Sequence, residues 1–371
     1  MQEQSKMMWS IALTLFVLFI TTAIFFSDRE IKTTTIPKEA SSSKTTSEKE
    51  MKFIEPTSPE WLFTNGPWKE IDDPAVGKVM KGWLLGSDKP HFGRRVKIET
   101  DSPFAVLKQV GIGGTLMIFV DGKPAVEKEL PADGKVLKIP VFENKSGWHE
   151  IEIVHSSLSE LDGLFIGKES NVRKPADHKK KLVVMGHSYA EGYGSDNIAL
   201  KSFTGMLSEK LGVESINQAV SKTDLNVSVP ASRKNSGLDR LQKDVIDLKP
   251  DYVLLVYGYN ASSRDLEQYQ IDYTTFLTTL QKSLPDTKVF ASGIPSVSHY
   301  SEEDLAPKNT AIKKACESVS NCTYIDMANK WNETNYTKYI SSDGVHPSEE
   351  GHAFLAEEYA KAIRAADPEL K

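Results

Sequence analysis

From Lys181 almost to the C-terminus, five short apolar runs alternate with longer stretches of helical period, and this rhythm limits the fold more than any other feature. The runs are KLVVMG (181–186), VESIN (213–217), DYVLLVYG (251–258), KVFASG (288–293) and TYIDM (323–327). Helices are expected near 200–211, 236–248, 265–284, 304–318 and 348–365. Parallel strands cannot be joined by tight turns, so each helix acts as a right-handed crossover, and the sheet is covered on both faces. The fold class is therefore α/β, three layers built around a parallel sheet. In such sheets the reactive groups gather beyond the carboxyl ends of the strands.

Those ends carry chemistry. After the first strand comes Gly186-His187-Ser188-Tyr189, after the second Asn217 to Thr223, after the third Gly258-Tyr259-Asn260-Ala261, and before the last helix Asp343-Gly344-Val345-His346-Pro347. A hydroxyl, an amide and an Asp-x-x-His pair are the groups that nucleophilic acyl transfer uses: nucleophile, base, carboxylate to orient the base, and donors for an oxyanion. Each is weak alone. Gly-x-Ser also fits a structural serine, Asp343-x-x-His346 a helix cap, and Asn260 a turn; their order along the strand ends favours catalysis.

Residues 60–172 have a different rhythm. VKIET (96–100), TLMIFVDGK (115–123), KVLKIPVF (135–142) and HEIEIVHSS (149–157) alternate apolar and polar positions, with Asp121-Gly122 and Asp133-Gly134 as turn signals. No long helical period occurs there, so an antiparallel sandwich is expected.

The four blocks, in this order, resemble the SGNH (GDSL-type) hydrolases over about 180–365, most specifically in Asp343-Gly344-Val345-His346-Pro347 followed by Glu350-Gly351-His352. The preceding strands, with VDGK and GWHEIEIVH, look like carbohydrate esterase family 2 and like the membrane-anchored O-acetyltransferases of bacterial cell-wall polysaccharides. The resemblance implies a flavodoxin-like catalytic domain over 173–371 behind a jelly-roll-like sandwich over 60–172. It implies Ser188 as nucleophile, His346 as general base and Asp343 as the orienting carboxylate. The oxyanion donors would be the N–H groups of Ser188 and Lys222 and the side chain of Asn260. The sequence departs from the family pattern at His187, where an Asp is usual, at Ala261, and at Lys222, which aligns with a glycine. If position 222 is left-handed, a non-glycine residue costs about 1–2 kcal/mol there, but its N–H survives. His187 is read as a packing residue.

Met7 to Phe26 is twenty residues without a charge, long enough to span roughly 30 Å of hydrocarbon. With no convincing small-x-small cleavage site before Ser27, residues 1–27 are read as an uncleaved transmembrane anchor rather than a signal peptide. Residues 28–59, rich in Thr, Ser, Lys and Glu, are read as a disordered tether. Lys6 stands upstream against Arg29, Lys32, Lys38 and Lys44 downstream, so positive charge alone places the body in the cytoplasm. The chemistry points outside, towards cell-envelope carbohydrate, and a transferase there would need a membrane protein to supply acetyl groups. A net charge of −6 without a dense basic run excludes the usual nucleic-acid binder. The other histidines show no ligand spacing, so neither metal nor cofactor is expected. Cys316 and Cys322, the two cysteines, suit a local disulfide in an oxidising compartment and free thiols in a reducing one.

Overall fold

The computed structural model describes residues 50–82, 93–156, 158–177, 179–228, 234–261 and 265–370. Its first half is β-structure. In chain order the strands are β1 (Met51–Ile54), β2 (Leu62–Thr64), β3 (Lys69–Asp73), β4 (Gly77–Lys81), β5 (Arg95–Thr100), β6 (Ala105–Val110), β7 (Thr115–Val120), β8 (Lys123–Glu129), β9 (Val136–Phe142), β10 (His149–His155), β11 (Glu160–Leu161), β12 (Leu164–Gly167) and β13 (Val172–Arg173). Two antiparallel sheets, β1-β12-β6-β9 and β13-β5-β10-β7-β8 with β2 paired on β5, are joined by a small sheet, β11-β4-β3. Alternation places every second side chain on one face. Val96 and Ile98, Leu116 and Ile118, and Ile151 and Ile153 thus share one core with Leu107, Ile139 and Val141, and Leu164 and Ile166 of the opposing sheet. Asp121 and Gly122 both take positive φ, as the turn between β7 and β8 requires.

The tether does not run as far as Pro59. Met51–Ile54 pairs antiparallel with β12, and the Phe53 ring lies 4.8 Å from that of Phe165. Four residues carry too little period to be read as a strand, and the partner that orders them lies at the far end of the domain. The proposed membrane helix within residues 1–27 lies outside the described residues; among those described, no helix is long and apolar enough to cross a membrane.

The second half alternates as expected: β14 (Lys181–Gly186), α1 (Ser188–Glu191), α2 (Ile198–Lys201), α3 (Phe203–Leu211), β15 (Glu214–Asn217), α4 (Gly237–Asp244), β16 (Tyr252–Val256), α5 (Leu266–Ser283), β17 (Lys288–Ser292), α6 (Glu302–Glu317), β18 (Cys322–Ile325), α7 (Tyr336–Tyr339) and α8 (Glu349–Ala366). The sheet order is β15-β14-β16-β17-β18, all parallel. Its strands are apolar on both sides. Val183, Val253 and Leu255 pack with Phe276 of α5 and Ile312 of α6; Leu182, Val184 and Leu254 pack with Phe203 of α3 and Tyr359 of α8. Ser301 and Asp304 form a capping box that starts α6, and Cys316 is disulfide-bonded to Cys322, tying the end of α6 to β18. The strand order reverses at β14, so a crevice opens beyond the ends of β14 and β16.

Candidate active site

Ser188 stands in that crevice because the chain turns sharply from strand to helix. The turn is possible because residue 186 is glycine: a Cβ there would lie 2.6 Å from the Val256 carbonyl oxygen and 2.7 Å from Ala190 Cβ. His187 caps α1 in extended conformation, its Nδ1 accepting the Tyr189 N–H at 3.4 Å. Ser188 is then the first residue of the helix, and its N–H has no acceptor among the described residues.

His346 reaches the serine from the segment ahead of α8. Its Nε2 lies 2.9 Å from Ser188 Oγ and its Nδ1 2.6 Å from Asp343 Oδ2. The other carboxylate oxygen of Asp343 accepts the N–H groups of Val345 (2.8 Å) and His346 (2.9 Å) and the Ser341 hydroxyl (2.8 Å). Desolvation pushes the Asp343 carboxyl up, but the hydrogen bonds from the His346 ring, the two N–H groups and Ser341 outweigh it and hold the group well below the ordinary carboxylate range. An ionised carboxylate on Nδ1 keeps that nitrogen protonated and leaves Nε2 to accept from the serine. Gly194 lets a neighbouring loop close on this segment, since a Cβ there would lie 1.9 Å from the Pro347 carbonyl oxygen.

Opposite the serine, Lys222 adopts φ +61°, the left-handed conformation anticipated for a glycine position. Its N–H has no acceptor among the described residues. Asn260 donates one Nδ2 hydrogen to the Thr223 carbonyl at 3.1 Å, which fixes the amide's orientation and leaves the second hydrogen available. Ser188, Lys222, Asn260 and His346 line one cavity of about 250 Å³, with His187, Tyr189, Tyr193, Ser221, Tyr259 and Val345 completing its wall. Asp343 stands behind His346. The structure therefore brings together all five residues singled out from the sequence.

His187 is buried between the rings of Tyr189 (5.2 Å) and Tyr259 (5.3 Å), and desolvation, then the nearby His346, lowers its pKa to about 3. A neutral ring in aromatic packing agrees with its reading as a packing residue. Among the described residues no three His, Cys, Asp or Glu side chains converge as a metal-binding group.

Several supporting residues had no role assigned to them from the sequence. Glu191, one helical turn after Ser188, accepts the Ser221 N–H at 2.6 Å and also its hydroxyl, pinning the loop that carries Lys222. Buried Asp224 accepts the N–H groups of Leu225 and Gly258, each at 2.9 Å, and joins that loop to the one bearing Asn260. Lys308, reaching in from α6, donates to the carbonyls of Gly258 and Ala261 at 3.1 Å. His352 bonds the Tyr193 carbonyl at 2.8 Å and accepts the Phe203 N–H at 3.3 Å. Neither Glu191 nor Lys308 had a visible signal, since their partners lie on loops distant in sequence.

With this geometry in place, residues 184–354 match the GDSL-like lipase/acylhydrolase family. The chain carries a GDSL-like lipase/acylhydrolase domain. No curated protein matches the chain in sequence. The fold that holds the GDSL-like domain is similar to a salicylyl-acyltransferase from a tetracycline biosynthetic pathway, with TM-score 0.67 and 16% identity over 85% of this chain and 97% of that one. It is also similar to a family two carbohydrate esterase from Cellvibrio japonicus (TM-score 0.64, 17% identity, 85% and 97% coverage). A third likeness is to a family two carbohydrate esterase from Clostridium thermocellum in complex with cellohexaose (TM-score 0.62, 16% identity, 82% and 98% coverage). In each case the likeness covers the sandwich as well as the GDSL-like domain, and it concerns the fold.

Proposed function

We propose that this protein is a membrane-anchored, extracytoplasmic O-acetyltransferase acting on cell-envelope carbohydrate through an acyl-serine. The observation that carries the reading is the hydrogen-bonded line from Asp343 through His346 to Ser188, opening into a cavity with uncommitted donors on its far side. Ser188 Oγ attacks the carbonyl carbon of an acetyl ester while His346 Nε2 takes its proton. The tetrahedral oxyanion is held by the N–H groups of Ser188 and Lys222 and by Asn260 Nδ2, each such donor lowering the barrier by roughly 3–4 kcal/mol. The departing alcohol takes the proton from His346 as the C–O bond breaks, leaving acetyl on Ser188. A sugar hydroxyl, deprotonated by His346 in turn, then attacks the acetyl carbon; the bond to Ser188 Oγ breaks, and His346 returns the proton to the serine.

Exposed aromatic rings beside the cavity support a sugar as acceptor. Tyr193, 48% exposed, lies against His346, and Tyr300, 42% exposed, stacks on Tyr259. Flat rings at a polar rim suit the apolar face of a pyranose. The Cys316–Cys322 disulfide fits an oxidising compartment, and the apolar segment 7–26 is long enough for an anchor. Acetyl groups would then reach the site by way of a separate membrane protein. A second reading, hydrolysis of acetylated carbohydrate, is favoured by the likeness to family two carbohydrate esterases.

Incubating the full chain with 4-nitrophenyl acetate, with and without cell-wall glycan, tests both. Acetylated glycan together with acetyl on Ser188 supports the transferase. Free acetate alone establishes the esterase, and glycan retention without acetate release would make the protein a binding module.

A further inference from the structure

Three charge-bearing residues besides tyrosine are among those that line the cavity: His187, His346 and Lys222. His187 is kept neutral by burial, and His346 must be neutral to accept a proton. Among the described residues no carboxylate lines the cavity; Glu191 is committed to Ser221, and Asp343 to His346. Lys222 is exposed and, among the described residues, has no ion-pair partner. The uncommitted charge at this site is therefore positive, although the chain as a whole carries −6.

The backbone at this position sharpens the point. An oxyanion donor needs only the N–H of residue 222, and at φ +61° glycine would supply it without strain. A lysine brings a cost of its own and adds nothing to the N–H, so any further role of this residue belongs to its side chain.

We propose that Lys222 recognises an anion, a carboxylate or a phosphate, carried by the sugar whose ester is made or broken at Ser188. The substrate class is thereby narrowed to acidic glycans: uronic or carboxyethyl sugars on one side, sugar phosphates on the other. This inference rests on the acyl-transfer reading above. Lys222 then has two parts. Its N–H faces the oxyanion, and its ammonium selects the acyl acceptor or donor by charge.

The test compares three acetyl esters on the full chain: an acetylated methyl glucoside, the matching methyl glucuronoside and the matching methyl glucoside 6-phosphate. The readout is the ratio of kcat/KM for each charged ester over the neutral one, so that any general effect on the oxyanion cancels. The wild type should favour at least one charged ester about tenfold, the scale of one hydrogen bond to a charged group. The better of the two identifies carboxylate or phosphate. Lys222→Gln should bring that ratio close to one, Lys222→Glu should invert it, and added salt should erode the wild-type preference while leaving the ratio of Lys222→Gln unmoved. Equal turnover of all three esters, or a ratio that Lys222→Gln leaves unchanged, overturns the proposal while the acyl-transfer reading stands. Turnover of none, with no acetyl found on Ser188, overturns both.

Discussion

At the scale of single residues, the arrangement around His346 makes a definite claim about Asp343. Replacing it with Asn preserves an oxygen for the Val345 and His346 N–H groups, but offers Nδ1 an N–H donor or a neutral oxygen in place of a carboxylate. The imidazole then loses the partner that keeps its proton on Nδ1 and loses the charge that stabilises its protonated form. Asp343→Asn should therefore lower kcat on an acetyl ester roughly 10⁴-fold, as in the serine-protease precedent, with an unaltered circular dichroism spectrum. Near-parental turnover would leave His346 oriented by something else. Asp343 is held well below the ordinary carboxylate range, so it stays ionised across the acidic limb of a pH–rate profile. That limb should accordingly rise with a slope of one, and a slope of two would mean that the carboxylate titrates as well.

At the scale of elements, loops at the ends of neighbouring strands have to be held together for the oxyanion donors to converge. Glu191 does this between α1 and the Lys222 loop. Glu191→Ala should cut kcat about 10²-fold, the usual penalty for a misplacement near 1 Å, with little change in melting temperature. Asp224 bridges the Lys222 and Asn260 loops, and burial lifts its carboxyl from 3.8 to about 6 despite the N–H groups of Leu225 and Gly258. Between those values the folded chain retains a proton that the unfolded chain has released, so stability is greatest below the window and falls as pH rises through it. The loss should approach about 3 kcal/mol. Urea unfolding of Asp224→Asn, compared with the parent at pH 4 and pH 7, should shift in favour of the variant by about that amount. A constant difference would contradict the assignment. The disulfide ties the end of α6 to the start of β18, away from these loops: replacing both Cys316 and Cys322 with serine should lower stability by about 2 kcal/mol, seen as a lower urea midpoint.

At the scale of the whole molecule, Asn65 is one of the residues through which the sandwich docks on the GDSL-like domain, beside the Arg95–Glu209 ion pair. The Asn65 N–H donates to Glu214 Oε1 at 2.7 Å and its side chain to the Ser215 carbonyl at 2.9 Å, both at β15. Asn65 sits at φ +62°, a conformation that Asn tolerates better than alanine does. Asn65→Ala should therefore destabilise the docked state by about 2 kcal/mol. Calorimetry should then show the sandwich and the parallel-sheet half separating into two transitions, whereas one unbroken transition would place the coupling elsewhere.

Ser188, Asn260, Asp343 and His346 were legible in the sequence because parallel strands place their carboxyl ends on one edge, so any chemistry written there must converge. The five buried runs were legible for a related reason: strands covered on both faces carry little but apolar residues. The strand at 51–54 was not, because four residues acquire their order from β12, a partner far along the chain. Nor were Lys308 and Asp224, whose roles consist of hydrogen bonds to backbone atoms of loops that only the folded sheet makes adjacent. The residue types and their order were set by the sequence alone. The left-handed turn at Lys222, the distance from His346 to Ser188 and the set of described residues that meet in the cavity wall were decided by the tertiary structure, because each depends on segments meeting in space rather than along the chain.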